Sequence, residues 1–411
     1  MRRLLKIGCL ALGLAAAPAQ AEWITSWSAA PVTPGPAMGP IPATPSFSNR
    51  TFRQTLRLSA GGTSLRVRLT NAFGTAPLEV GGARVALLDS EGREVAGTSR
   101  TLQFAGAPGA TIARGAPLLS DPVALDVPPL ARLSLSLYLP GDTGPCTCHT
   151  TGLDTTDISA PGDFTAAPFT PETTMTMRAF IAGVEVDAPD GTGTIAILGD
   201  SITDGVGSTP GANRRWPDLL AERIVARGGA VRGIANQGIS GNRILHDGFS
   251  ESALARLDRD ILAVPGVRTL IVFEGVNDLG IGFGDLTRGP AASMSERLPG
   301  RSITAAQMIA GYRQIIARAR AHGLKVIGAT IAPYKGAAYW TPAGEAVRQE
   351  INAFIRDSGA FDAVLDFDLV LRDPADPLAM RAEYHSGDHL HGSDAGYRAL
   401  AESIDLDLLM P

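Results

Sequence analysis

Cysteine is scarce in this 411-residue chain: of three, only Cys146 and Cys148 lie beyond residue 21. Sitting in Cys-Thr-Cys, they either pair in an oxidising compartment or remain two small free residues, and they read as structural. A metal there would need ligands beyond the adjacent His149. Charge is also scarce, at 19% of residues with a net −5, which does not favour nucleic acid or an anionic membrane as a partner. No segment after the N-terminus is long and apolar enough for a transmembrane helix, so stable membrane insertion is not expected. No Trp falls between 51 and 190, which argues against an aromatic carbohydrate-binding platform there. Gly205-Val206-Gly207 does not complete G-x-G-x-x-G, so a nucleotide-binding loop is excluded. Gly199-Asp200-Ser201-Ile202-Thr203 lacks the last glycine of a Gly-x-Ser-x-Gly elbow, which argues against the α/β-hydrolase fold. There is no internal repeat.

What is present is a globular composition, 45% hydrophobic, with 47 Gly and 29 Pro that imply many turns. The length predicts two or three domains. Met1–Lys6 is basic, Ile7–Ala17 is apolar but too short to span a bilayer, and Ala19-Gln20-Ala21 has the A-x-A form of a cleavage site. Residues 1–21 therefore read as a signal peptide, and export to the periplasm or medium is expected. Cleavage before Glu22 removes three basic residues and no acid, leaving about −8.

Residues 22–50 are Pro- and Ser-rich and read as a tethering segment whose Trp23 and Trp27 pack on a domain surface. From 51 to 186 the period is two. Leu65, Val67 and Leu69 alternate with arginines, and Leu133, Leu135, Leu137 and Leu139 with Ser and Tyr, which predicts an all-β sandwich domain. Ala60-Gly61-Gly62-Thr63 reads as a hairpin turn. His149, Asp154, Asp157 and Asp163 lie in the last, loop-rich part and are candidates to reach a following domain, which sequence alone does not show. Residues 187–193 read as a linker.

From 194 to 411 the grammar changes. Apolar runs at 194–198, 231–235, 269–273, 324–331 and 363–367 read as strands alternating with helices, which predicts a parallel, doubly wound sheet. Helices are expected from Trp216-Pro217, across 308–319, after Thr341-Pro342, and after Ser393 or Asp394. The Gly-, Pro- and Ser-rich stretch from Gly280 to Thr304 reads equally as a lid or a solvated insertion.

Four stretches stand at predicted strand ends: Gly199-Asp200-Ser201; Asn236-Gln237-Gly238-Ile239-Ser240-Gly241-Asn242; Glu274-Gly275-Val276-Asn277-Asp278; and Asp388-His389-Leu390-His391. In open α/β sheets ligands bind at that edge. Acyl transfer needs a nucleophile, a base to take its proton, a carboxylate to orient the base, and donors for the oxyanion. Ser201, an imidazole three residues from Asp388, the Gly241 N–H and the Asn277 amide supply these types. Asp200, Asp204 and Asp278 read as loop-ordering or structural hydrogen-bonders.

The four blocks, in this order, resemble those of the SGNH (GDSL) esterase/lipase family over about 194–411, and the architecture resembles its secreted two-domain bacterial members. The resemblance implies a three-layer α/β/α fold of flavodoxin-like order. It implies Ser201 as nucleophile, Asp388 and His391 as the other triad members, and Ser201, Gly241 and Asn277 as oxyanion donors. It implies a carboxylic ester hydrolase needing no cofactor, acting on a small-molecule or polysaccharide ester such as an O-acetylated glycan, with a lipid or aryl ester as the alternative. Gly392 follows His391 where the family has Pro, which predicts a freer loop, and His389 beside Asp388 is a rival base. Two other readings compete. His385, Asp388, His389, His391 and Asp394 form a dense set of potential metal ligands, as in a metal-dependent hydrolase, and the chain could instead be a carbohydrate-binding or surface-adhesion protein with a decayed enzyme domain. The metal reading leaves Ser201, Gly241 and Asn277 unexplained, and the complete set of catalytic residue types argues against decay.

Overall fold

The computed structural model describes residues 22–37, 43–189, 191–230, 232–285 and 302–409. The predicted signal peptide and most of the 280–304 stretch lie outside the described residues.

Period-two alternation builds the N-terminal half. Strands β1 (Glu22–Ser28), β2 (Ser46–Arg57), β3 (Gly62–Thr70), β4 (Gly82–Leu88), β5 (Arg132–Pro145) and β6 (Ile181–Ala188) carry two mostly antiparallel sheets. One runs β1-β6-β3, extended by Pro117–Leu119 and Val123–Val127. The other centres on β2-β5-β4 and gains Thr156–Ile158 beside β2. Leu65, Val67 and Leu69 from the first sheet and Leu133, Leu135 and Leu137 from the second share one buried core, so the sheets face each other.

Two expectations change here. Within the 22–50 stretch read as a tether, Glu22–Ser28 and the residues from Ser46 onward are strands of the β-domain. Glu22–Ser28 pairs antiparallel with β6, from Glu22 opposite Ala188 to Ser28 opposite Gly183. The strand also bonds forward into the second half: Thr25 N–H donates to Thr194 Oγ1 at 2.9 Å, and Ser28 Oγ donates to the Asn236 carbonyl at 3.2 Å. Trp23 does pack on the surface, under the Arg66 guanidinium. Ala60–Thr63 is not a hairpin turn, because β2 and β3 belong to different sheets. Its glycines allow a close passage instead: a Cβ at Gly61 would lie 2.3 Å from the Val127 carbonyl, and one at Gly62 2.3 Å from that of Asp187.

The second half is a five-stranded parallel sheet of β7 (Thr194–Gly199), β8 (Gly233–Gly238), β9 (Val267–Phe273), β10 (Lys325–Ala329) and β11 (Ala363–Leu365). Its order is β8-β7-β9-β10-β11, the 2-1-3-4-5 order of flavodoxin-like folds. Every residue of β7 is buried, because helices cover both faces, and such strands read as unbroken apolar runs. Among its helices are α1 (Ser201–Asp204), α2 (Trp216–Arg227), α3 (Val276–Phe283), α4 (Ala305–Ala321), α5 (Pro342–Asp357) and α6 (Asp394–Ser403). Helix α2 packs on α6, whereas α3 and α4 pack on α5. Thr304 closes a capping box with Gln307, Thr341 caps α5 ahead of Pro342, and Ser393 rather than Asp394 caps α6. Gly280–Phe283 is the end of α3, not loop. A Cβ at Gly280 would lie 2.3 Å from the Tyr339 ring, so that glycine serves helix-to-loop packing.

Candidate active site

The reversal in strand order falls at β7, between β8 and β9, and the first three sequence blocks leave the carboxyl ends of these three strands. Strand β7 ends at Gly199, where a Cβ would lie 2.2 Å from Thr203 Oγ1 of the turn folding back over it. Asp200 caps that turn, its Oδ1 accepting from the Ile202 N–H at 2.9 Å. Ser201 is the first residue of α1 and is only 5% exposed. Gly205 ends the turn at φ +97°, a left-handed conformation natural to glycine.

The fourth block meets Ser201 from 190 residues away. His391 Nε2 lies 2.9 Å from Ser201 Oγ. His391 Nδ1 lies 2.6 Å from Asp388 Oδ2. The other Asp388 oxygen accepts the backbone N–H groups of Leu390 and His391 at 3.0 and 2.9 Å. Partial burial pushes the Asp388 carboxyl up, but the His391 ring and these N–H donors outweigh it and hold the group well below the usual carboxylate range.

His389 takes another path. It has φ +60°, its ring stacks on His385 at 4.3 Å between centroids, and its N–H donates to His385 Nδ1 at 3.3 Å. Asp394 is engaged by the Thr209 N–H and hydroxyl at 2.8 and 2.7 Å. The His/Asp set is thus divided among separate contacts, and among the described residues no group of three or more His, Cys, Asp or Glu is arranged to hold a metal ion. The loop at Gly392 is tied down rather than free. Ser386 N–H donates to the His391 carbonyl at 2.8 Å and Ser393 N–H to the Tyr384 carbonyl at 2.9 Å. A Cβ at Gly392 would lie 2.8 Å from the Tyr397 ring, so the residue there must be small.

Gly241 follows β8 at φ +75°, and a Cβ on it would lie 2.2 Å from the Phe249 ring, so conformation and space both require glycine. Asn277 is the second residue of α3. Its Nδ2 donates to the Asn242 carbonyl at 3.1 Å, and its Oδ1 accepts from the Tyr339 hydroxyl at 3.2 Å. Asp278 orders the Gly241 loop, accepting the Ile244 and Leu245 N–H groups at 2.8 and 3.3 Å.

Behind Ser201 lies a buried acidic cluster of Asp200, Glu274 and Asp278. Burial pushes Asp200 up to about 7 and Asp278 up to about 6, despite the N–H donors that each accepts. Glu274 is raised well above its ordinary value by burial and by the neighbouring Asp200. Arg256, fully buried, joins the cluster to the strand ends. Its Nη2 donates to the Gly199 carbonyl at 3.1 Å, Nη1 to the Gln237 carbonyl at 2.7 Å, and Nε to Asn242 Oδ1 at 2.9 Å. Sequence reasoning missed Tyr339 and Arg256, which lie in no motif. It named His149, Asp154, Asp157 and Asp163 as candidates to reach the second half. Of these, His149 bonds across it, to Asp204 at 2.8 Å. Asp154 pairs with Arg178, and Asp163 with Thr165.

A flavodoxin-like sheet carrying a Ser, a His and an Asp in one hydrogen-bonded line at its switch point defines a hydrolase domain of the α/β/α type. Residues 197–399 match the model of the GDSL-like lipase/acylhydrolase family, so this half of the chain is a domain of that family and the protein is a carboxylic ester hydrolase. Solved structures with similarity include a lipase/acylhydrolase from Enterococcus faecalis, 22% identical, covering 52% of this chain and 93% of its own, with a TM-score of 0.36. Others are a GDSL-like lipase from Bacteroides thetaiotaomicron (16%, 53% and 87%, TM-score 0.38) and a variant acetyl xylan esterase from Geobacillus stearothermophilus (20%, 53% and 95%, TM-score 0.38). No curated protein matches the chain.

Proposed function

We propose that the protein is an exported serine esterase working through an acyl-enzyme, with O-acetyl groups on a carbohydrate as its substrate. The observation that carries this is the unbroken line from Ser201 Oγ through His391 to Asp388. His391 Nε2 takes the Ser201 proton as Oγ attacks the ester carbonyl carbon. Asp388 keeps Nδ1 protonated and stabilises the imidazolium. The tetrahedral oxyanion is met by the N–H groups of Ser201 and Gly241 and by the Asn277 amide. Asn277 spends one amide hydrogen on Asn242, leaving the second for substrate. On collapse, the bond from the carbonyl carbon to the alcohol oxygen breaks, and the imidazolium proton passes to the departing alcohol. Water, deprotonated by His391, then attacks the acyl-Ser201 carbonyl and releases the acid. No cofactor takes part.

The hydroxylated substrate rests on the polar loop around His391, where exposed Ser386 and Asp388 and part-exposed His385 and His389 offer hydrogen-bonding groups suited to sugar hydroxyls rather than a lipid chain. Export rests on the N-terminal signal pattern, and the Cys146–Cys148 disulfide fits an oxidising compartment. Ser201→Ala and His391→Ala should each abolish turnover of a short-chain aryl ester while the protein stays folded. Normal turnover by Ser201→Ala would sink the mechanism. An acyl chain-length series beside acetate release from acetylated glycan tests the substrate class, and a preference for long acyl chains would favour a lipid ester instead.

A further inference from the structure

The β-domain contributes a charged group to the hydrolase centre. We propose that His149 is a positioning residue for ester hydrolysis, holding in place, through Asp204 and Ser240, both the turn that carries Ser201 and the turn that carries Gly241. The inference rests on the esterase reading above.

His149 is buried in the short strand Cys148–His149 of the β-domain. Its Nδ1 lies 2.9 Å from the Ala30 carbonyl and its Nε2 lies 2.8 Å from Asp204 Oδ1. A carbonyl oxygen only accepts, so Nδ1 carries a hydrogen. In the neutral ring Nε2 would then present a lone pair to a carboxylate oxygen. The contact is attractive only with a proton between them, which makes the pair an imidazolium facing a carboxylate. Burial opposes the charged ring, but the Asp204 charge and both hydrogen bonds outweigh it and raise its pKa.

The second Asp204 oxygen accepts from Ser240 Oγ at 3.1 Å, and Ser240 Oγ lies 2.8 Å from Thr151 Oγ1, again of the β-domain. Asp204 is the last residue of α1, whose first is Ser201, and its N–H donates to the Asp200 carbonyl at 2.9 Å. Ser240 immediately precedes Gly241. One buried carboxylate therefore ties the two turns together, and the β-domain holds it directly from His149 and holds its Ser240 partner from Thr151. The charges around the ring are otherwise matched. Arg178, opposite His149 in the strand register, pairs with Asp154 at 2.6 Å. Arg215 pairs with Asp218 at 3.1 Å and donates to the Asp204 carbonyl at 3.0 Å. A cavity of about 60 Å³ between the domains is lined by His149, Arg178, Arg215, Asp204, Arg57 and Asp218 among others. In this balanced setting the partner of Asp204's charge is His149.

The test is steady-state hydrolysis of a short-chain aryl acetate by the full chain. His149→Phe orphans the carboxylate and should lower kcat roughly ten- to a hundredfold, the scale of a small misplacement of catalytic groups, with KM changed by less than about twofold. Asp204→Asn should fall similarly. The double variant should be no worse than His149→Phe alone, because no buried charge is then left unpaired. Unchanged kcat in a folded His149→Phe protein, or losses that multiply in the double variant, would overturn the proposal. If His149→Phe does not fold, Thr151→Val cuts the same clamp without orphaning a charge. A several-fold fall in kcat at constant KM then supports the proposal, and wild-type kcat overturns it. Ser201→Ala runs alongside: turnover surviving that change would refute the esterase mechanism rather than the clamp.

Discussion

Arg256→Met removes a fully buried guanidinium that five acceptors share. These are the Gly199 and Gln237 carbonyls, Asn242 Oδ1, Asp260 Oδ2 at 3.3 Å and Glu274 Oε1 at 3.5 Å. The two carboxylates suffer least. Asp260 keeps Arg259 at 2.7 Å, and Glu274, already raised well above its ordinary pKa by burial, takes up a proton. Of the three neutral acceptors, the Gly199 carbonyl keeps the Ile239 N–H at 3.0 Å, whereas the Gln237 carbonyl and Asn242 Oδ1 lose this donor in a dry site, at about 1–3 kcal/mol each, or about 2–6 kcal/mol together. Removing the buried cation itself returns part of this, since well-packed apolar replacements of buried ion pairs are often neutral or stabilising by about 1–4 kcal/mol. The net expectation is a loss of about 2–4 kcal/mol against a total of about 5–15 kcal/mol, so the protein folds but with a clearly lower unfolding midpoint in urea. Arg256→Lys should rescue little, because one ammonium cannot reach carbonyls on two strands and the Asn242 amide together. A midpoint shift worth less than about 1 kcal/mol would refute the reasoning, since it would mean that these acceptors find other donors.

Two further outcomes are expected. Asp278 is raised to about 6 in the folded protein, so the native state binds a proton that the unfolded chain has released above its own pKa near 4. This contribution to stability is full below about pH 4 and is lost as pH rises through about 6, a span worth about 3 kcal/mol. Asp278→Asn should flatten that part of a stability–pH curve measured by chemical unfolding, and an unaltered slope would contradict the assignment. Gly241→Ala forces an alanine to φ +75° and its Cβ into the Phe249 ring. The backbone strain alone costs about 1–2 kcal/mol, and kcat on an aryl acetate should fall roughly ten- to a hundredfold as the N–H moves; wild-type kcat would exclude Gly241 from the oxyanion site.

The hydrolase half was the more legible part of the chain. β7, β9 and β10 are covered on both faces and therefore appear as apolar runs. β8 was expected at 231–235 but is Gly233–Gly238, because its carboxyl end carries Asn236 and Gln237, polar residues that serve the turn region rather than a core. Thr341 and Ser393 announced their helices by side chains that accept N–H groups three residues on, whereas Thr304, which caps α4 in the same way, reads as the end of the preceding loop. Strand β1 was not legible. Its burial does not alternate, and it becomes a strand only by pairing with β6 at the far end of the β-domain. The Ala60–Thr63 turn misled because a glycine pair signals tight backbone passage as readily as a hairpin. Asp200 and Asp278 were read as ordering residues from their places beside the motifs, and their N–H partners are within two residues or in the adjacent loop.

By itself the sequence determined which residue types stand at the strand ends: a serine after Gly-Asp, a glycine after Ser240, an asparagine entering a helix and an Asp-x-x-His loop. These are local matters, governed by side-chain periodicity, caps and turn conformations over a few neighbouring residues. The tertiary structure decided which of two histidines faces Ser201, since His391 reaches it across 190 residues only because the strand order brings the C-terminal loop to the carboxyl end of β7. It also decided that Arg256 would bridge two strand ends and that His149 would cross from one domain to bond Asp204 in the other. Such contacts depend on strand order and domain docking, and no short-range pattern in the chain encodes them.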